Sequence, residues 1–182
     1  GLKRGVAQGK IFPLVCTSAL ENLAIHPLLD AILAYVPAPS ERPFPAVKRD
    51  GSGSVEVPAS DKAPYSAFVW RTVADPFAGR ITLFRVVSGA LKADTTVNNV
   101  TRGDVPERLG HLLTLQGKTH TAVPELKAGD LGAVAKLKET QSGDTLADRQ
   151  TPFTFPKLVF AEPVISYAIE PKSRGDEDKI ST

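Results

Sequence analysis

The feature that most narrows the fold is a succession of short β-like runs between residues 65 and 160. They read "YSAFVWRTV", "RITLFRVV", "TTVNNV", "ERLGHLLTLQ" and "LGAVAKLK". Turn chemistry closes each of them: "DPFAG", "SGALKAD", "TRGD" and "QSGD". Aspartate and serine at turn starts, proline with its fixed φ and glycine with its free φ all favour chain reversal. Many short strands at this spacing predict an antiparallel β-barrel or sandwich and leave no room for helices of ordinary length. Two turns nearly repeat, Leu91-Lys92-Ala93-Asp94 and Leu126-Lys127-Ala128-Gly129-Asp130, and each is expected to lead into a strand.

The flanks read differently. Residues 1–36 look like pieces of an α/β domain. "IFPLVCTSA" (Ile11 to Ala19) opens with an apolar run of strand length. "HPLLDAILAYV" then places Leu28, Leu29, Ile32, Leu33 and Val36 on one helical face. Pro27 suits its first turn, and Pro37 stops it because Val36 is pushed out of the helical region. One strand and one helix cannot enclose a core, so 1–36 is expected to be the end of a larger domain. Residues 37–64 are rich in Pro, Ser and Gly and read as a linker. Residues 161–182 read as a strand (Val164 to Ile169), a turn at Pro171 and a polar helix start.

The chain of 182 residues is 42% hydrophobic with a formal charge of +2 and a single cysteine, Cys16. An internal disulfide is impossible, no apolar run reaches membrane-spanning length, and the composition fits a soluble cytoplasmic protein without membrane or DNA partners. "GVAQGKI" (Gly5 to Ile11) imitates a phosphate loop, but it has one residue too few between its glycines and Ile11 where a hydroxyl should hold magnesium. Arg174-Gly175-Asp176 and the sequon at Asn99 are short patterns without the context they need, and "DGSG" at Asp50 lies in the linker. Cys16 with His26, His111 and His120 has neither metal-ligand nor catalytic spacing. No metal site and no catalytic residue are expected.

The strand "RITLFRVV" is apolar on both faces yet carries Arg80 and Arg85. Arg80 follows the Gly79 bend and is expected to face outward toward a phosphate. Arg85 shares parity with Ile81, Leu83 and Val87 and is expected to cross the barrel wall to an acid or a carbonyl. Arg71, Lys92, Arg102, Arg108 and Lys118 complete a modest basic set that either grips phosphates or forms ordinary ion pairs.

"DPFAGRITLFRVVSGALK" resembles the opening of the second domain of elongation factor G, and "ELKAGDLGAVAKLKETQSGDTL" (Glu125 to Leu146) resembles its end. "GKIFPLVCTSALENLAIHPLLDAILAYVPAPSE" is similar to the end of that family's GTPase domain, including its last guanine motif at Thr17-Ser18-Ala19. "AEPVISYAIEPKSRGDEDKI" resembles the start of its third domain. The resemblance implies a mainly β chain organised as a GTPase-domain remnant (1–36), a linker (37–64), a translation-factor-type antiparallel β-barrel (65–160) and the start of a third domain (161–182). It also implies a parent GTP hydrolase that moves tRNA and mRNA through the ribosome.

On that resemblance, Ser18 and Ala19 would contact guanine only in the intact GTPase domain, and no GTP or GDP is expected on this segment, which lacks the phosphate loop and magnesium elements. Arg80, Lys92, Arg102 and Arg108 are the candidates for contact with small-subunit rRNA, and the other domains of the parent chain are the further partners. A purely structural connector is the alternative reading. Between Thr101 and Pro124 the sequence departs from the family pattern, with His111 before Leu112-Leu113 and "TLQGKTHTAV" after. The main translocase, a recycling-type factor and a ribosome-protection relative all stay open as the parent.

Overall fold

A computed structural model of the chain describes residues 1–75 and 79–171. Two short helices come first, α1 (Leu2–Ala7) and α2 (Ile25–Tyr35), followed by a 3-10 turn at Pro39–Glu41. The rest is β: β1 (Phe44–Lys48), β2 (Ser54–Val57), β3 (Ser66–Asp75), β4 (Gly79–Ser88), β5 (Ala90–Lys92), β6 (Thr96–Asn99), β7 (Val105–Arg108), β8 (Leu112–Gln116), β9 (Thr119–Val123), β10 (Glu125–Lys127), β11 (Leu131–Ala135), β12 (Thr145–Ala147) and β13 (Phe153–Thr154).

An eight-stranded sheet runs in the order β7-β6-β12-β3-β4-β11-β8-β9, and every ladder in it is antiparallel. It curls so that its inner faces share one core, in which Val69, Phe84, Val86, Leu112, Val134 and Leu146 are fully buried. Each near-repeat begins at the end of a short strand, β5 or β10, and then turns into the next strand, β6 or β11, as expected. β5 and β10 pair with each other, Leu91 opposite Leu126, and both leucines enter the same core. The expected mainly antiparallel β fold is therefore present.

β4 explains why one strand is apolar on both faces. Its even residues, Phe84 and Val86, point into the barrel core. Val87 points the other way, into a second cluster with Ala46, Val57 and Phe155. There Phe44 and Phe68 meet Phe155 edge-on at 5.2 and 5.9 Å, a favoured geometry for aromatic rings. The second cluster roofs the barrel with a small sheet of order β13-β1-β2.

The expected linker thus contains a β-hairpin. β1 and β2 pair from Phe44↔Val57 to Val47↔Ser54, and Asp50 and Gly51 lie in the turn between them. Proline and glycine there serve a hairpin instead of a flexible tether: Pro45 falls opposite Glu56, and Gly51 and Gly53 take positive φ. Trp70 sits at a bulge in β3, where the register shifts between Val69 and Arg71.

Both flanks depart from expectation. The run Ile11 to Ala19 forms no strand, only an isolated bridge between Ser18 and Leu23, because no neighbouring strand offers it a ladder. Val164 to Ile169 likewise forms no strand, and Val164, Tyr167 and Ile169 are exposed. The helix start after Pro171 and the Arg174-Gly175-Asp176 tripeptide lie outside the described residues. α2 matches its pattern, ending at Val36 in extended conformation before Pro37.

Candidate functional site

The four basic candidates of the barrel divide into two pairs. Arg80 and Arg102 are committed to one loop, residues 136–144. Lys92 and Arg108 are exposed, and their side chains have no hydrogen-bond or ion-pair partner among the described residues.

β11 ends at Ala135, and Lys136, with a φ of +66°, turns the chain out of the sheet. The loop that follows would expose its backbone polar groups, and buried or half-buried polar groups must find partners. Arg80 satisfies one side: its guanidinium donates to the carbonyl of Leu137 at 2.8 Å and to that of Lys138, while Lys136 N–H donates to the Arg80 carbonyl. Glu107, 4% exposed, satisfies the other. Its carboxylate accepts the backbone N–H groups of Lys138, Glu139 and Thr140 at 3.1, 2.8 and 2.9 Å, and the Thr140 hydroxyl at 2.8 Å.

Asp144 closes the loop. One of its oxygens accepts Gln141 N–H at 2.8 Å, the Asn99 side-chain amide at 2.9 Å and Arg102 Nε at 2.7 Å. Asn99, itself fully buried, also donates to the Thr140 hydroxyl, and Arg102 Nη2 donates to Gln141 Oε1 at 2.8 Å. The carboxylate of this Arg102–Asp144 pair is nearly enclosed, so breaking it would leave an uncompensated buried charge.

The structure departs from the expectation for Arg80 and gives Arg85 no acid or carbonyl partner among the described residues. Arg80 is the arginine that reaches carbonyls. Arg85 is half-buried on the outer face of β4, beside a small cavity that Phe44 and Val57 also line. Parity placed Arg85 correctly with Val87, but that face is covered by the β1–β2 hairpin and is not barrel interior.

Lys92 and Arg108 flank one corner of the barrel. Arg108 pairs across strands with Thr96, and the Thr95 hydroxyl donates to the Lys92 carbonyl at 2.7 Å, so both side chains leave from the ends of the 92–96 turn. Arg71 and Lys118 are also exposed. Neither basic side chain is ion-paired among the described residues, although Asp94 lies in the same turn and Glu125 stands opposite Lys92 across strands; unpaired ammonium and guanidinium groups suit phosphate contact.

Ser18 and Ala19 sit in a tight turn. Ser18 N–H donates to Leu23 O at 3.1 Å, Leu23 N–H donates back to Ser18 O, and the Ser18 hydroxyl accepts Glu21 N–H at 3.3 Å. Among the described residues no three of His, Cys, Asp and Glu gather into a metal-binding group, and Cys16 is an exposed free thiol. No described helix is long and apolar enough to cross a membrane. Sequence reasoning read Asn99 only as a sequon and gave Glu107 no structural role. The available signal was parity: Glu107 alternates with Val105 and Leu109, which marks an inward position.

Residues 64–149 match the sequence model of elongation factor G domain 2. The fold is similar to that of a protein from Thermus thermophilus known from a crystal structure, at 27% identity and a TM-score of 0.70, over 99% of this chain and 24% of that one. The present chain thus spans about a quarter of the length of that relative. The β unit of residues 64–149 thus matches an elongation factor G second domain, which supports reading the chain as an elongation factor G fragment centred on it.

Proposed function

We propose that this segment belongs to a translational GTPase acting in ribosomal translocation in the cytoplasm, and that its barrel contacts small-subunit rRNA through the corner bearing Lys92 and Arg108. The observation that carries this reading is the division of the basic residues within an elongation factor G second domain. Arg80 and Arg102 spend their donors on the 136–144 loop, while Lys92 and Arg108 keep theirs for an outside acceptor. The barrel has no catalytic role in this reading. GTP hydrolysis resides in the parent's GTPase domain, where Ser18 and Ala19 would touch guanine, and no nucleotide is bound by the segment itself.

Sedimentation of the chain with isolated small subunits over a salt series tests this. Affinity should fall steeply with salt through counterion release, and Lys92→Gln or Arg108→Gln should each reduce the log–log slope by about 1. Salt-independent binding, or slopes unchanged in both variants, would defeat direct rRNA contact.

The commitments of Arg80 and Arg102 favour a second reading, the barrel as connector between the parent's other domains. Under it, Arg102→Gln lowers the melting temperature, and none of the four basic residues affects ribosome affinity.

A further inference from the structure

The small roofing sheet has two edge strands, β13 and β2, and β2 carries the longer unpaired run. β2 is its last strand, with β1 on one side and no strand on the other among the described residues. Antiparallel ladders alternate bonded and non-bonded pairs. Lys48 N–H donates to Gly53 O at 2.9 Å, so in the same register Ala46↔Val55 and Phe44↔Val57 are bonded pairs. Pro45↔Glu56 is then a non-bonded pair, as a residue without an N–H requires. The backbone N–H and C=O of Glu56 therefore point away from β1, toward the open edge.

A cavity of about 500 Å³, within the size range of ordinary binding sites, lies between β2, the 58–64 segment and the 148–153 segment. Its walls are mainly apolar, with Val55, Pro64 and Phe153 among them. Its charged lining groups are Glu56 and Asp148, and no lysine or arginine lines it. One carboxylate oxygen of Asp148 accepts Gln150 N–H at 2.9 Å, and the other has no hydrogen-bond partner among the described residues.

Thr151 supplies an independent observation. It is only 6% exposed, it lines the cavity, and its hydroxyl has no hydrogen-bond partner among the described residues. That hydroxyl is also not one of the fully enclosed unpartnered oxygens, which are Thr82 Oγ1 and Asp104 Oδ1. Thr151 is thus a nearly buried residue in the cavity lining with an unpartnered hydroxyl.

We propose that this cleft binds an extended basic peptide segment of a partner protein, which adds a strand to the open edge of β2. The peptide backbone pairs with Glu56 N–H and C=O. A lysine or arginine of the peptide faces Asp148 and Glu56, an apolar side chain rests on Pro64 and Val55, and a peptide polar group meets the Thr151 hydroxyl. Strand addition takes affinity from main-chain hydrogen bonds and specificity from alternate side chains, and this edge offers both. The assignment does not depend on ribosome contact at the Lys92–Arg108 corner.

The test uses the 182-residue chain and a fluorescein-labelled hexapeptide of alternating valine and lysine, followed by anisotropy, with a valine–glutamate hexapeptide as counterpart. The basic peptide should bind and the acidic one should not. Glu56→Pro removes the outward donor at a position whose N–H makes no bond within the hairpin, and should weaken binding by about tenfold or more. Asp148→Asn and Thr151→Val should each weaken it by roughly three- to tenfold. Equal binding of both peptides overturns the proposal, as does unchanged binding in a Glu56→Pro variant that keeps its unfolding midpoint. If Glu56→Pro does not fold, Asp148→Lys decides: basic-peptide binding must be lost, and its persistence overturns the proposal. A concentration-dependent dimer abolished by Glu56→Pro would make a second copy the occupant and overturn it as well.

Discussion

The barrel and the N-terminal helices obey the same patterning rules with opposite results. In the barrel, Phe84, Val86 and Leu146 are wholly enclosed. In α2 the equally regular apolar face stays open, with Leu33 81% and Val36 55% exposed, and no residue of the first 36 is buried. Amphipathic spacing specifies a face and not a partner. The barrel carries its partners within the same hundred residues, as strands that pair and core side chains that interdigitate. Among the described elements, α2 packs chiefly against α1. Substitutions should therefore be felt in the first region and tolerated in the second.

The largest effect is expected at Gly89, between β4 and β5. Its φ is +68°, and a Cβ there would lie 2.6 Å from Tyr65 Cα and 2.7 Å from Ala63 O, both backbone atoms that cannot swing aside. Gly89→Val combines left-handed strain for a β-branched residue with a backbone clash, and should cost more than about 4 kcal/mol. Urea denaturation followed by tryptophan fluorescence would register this as a lowered midpoint or as failure to fold. A near-native midpoint would mean that the β4–β5 corner is pliant.

Glu107 ranks next. Glu107→Ala strands three backbone N–H groups and the Thr140 hydroxyl, and should cost about 3 kcal/mol. The loop should also gain hydrogen exchange at Lys138 to Thr140, separating loss of the clamp from general loosening.

These two positions also mark how far the sequence could be read. Strands β3 and β4 follow their apolar runs to within two residues, because continuous β-branched and aromatic character between strong turns has few alternatives. The guanidinium partners of Arg80 lie 57 and 58 residues along the chain, and no local pattern announces such a contact. β9 was hidden for another reason: as a sheet edge it has four exposed residues, Thr119 to Ala122, so it shows no apolar alternation. The β1–β2 hairpin resembled a linker because its packing depends on Phe155, a hundred residues away. Nothing in the local sequences around Lys92, Arg108 and Arg102 announces which of them has an internal partner. Only the fold separates an arginine that neutralises Asp144 from one that has no internal partner.

An alkaline titration probes the barrel more gently. Burial, and then the negative charge of Asp148, hold the Tyr65 phenol above its ordinary pKa. A group with a raised folded-state pKa contributes stability that is complete below the unfolded value, and loses it as pH climbs through the folded one. Midpoints should be flat through neutrality and decline only above the ordinary phenol range near pH 10. Tyr65→Phe should flatten that decline; if the decline persists unchanged, other groups cause it.

The smallest effect is the sharpest test of the comparison. Leu33→Ala trims the most exposed apolar side chain of α2, and alanine is the better helix former. With no packing to lose, the barrel's unfolding midpoint should correspond to a change within about 0.5 kcal/mol. The same truncation at Leu146, fully buried, should cost about 2–5 kcal/mol. The contrast between two leucine truncations isolates burial from residue type. If Leu33→Ala instead destabilised the barrel by an amount approaching that of Leu146→Ala, α2 would have to dock its apolar face on the barrel in solution. The helices would then count as part of the barrel's core.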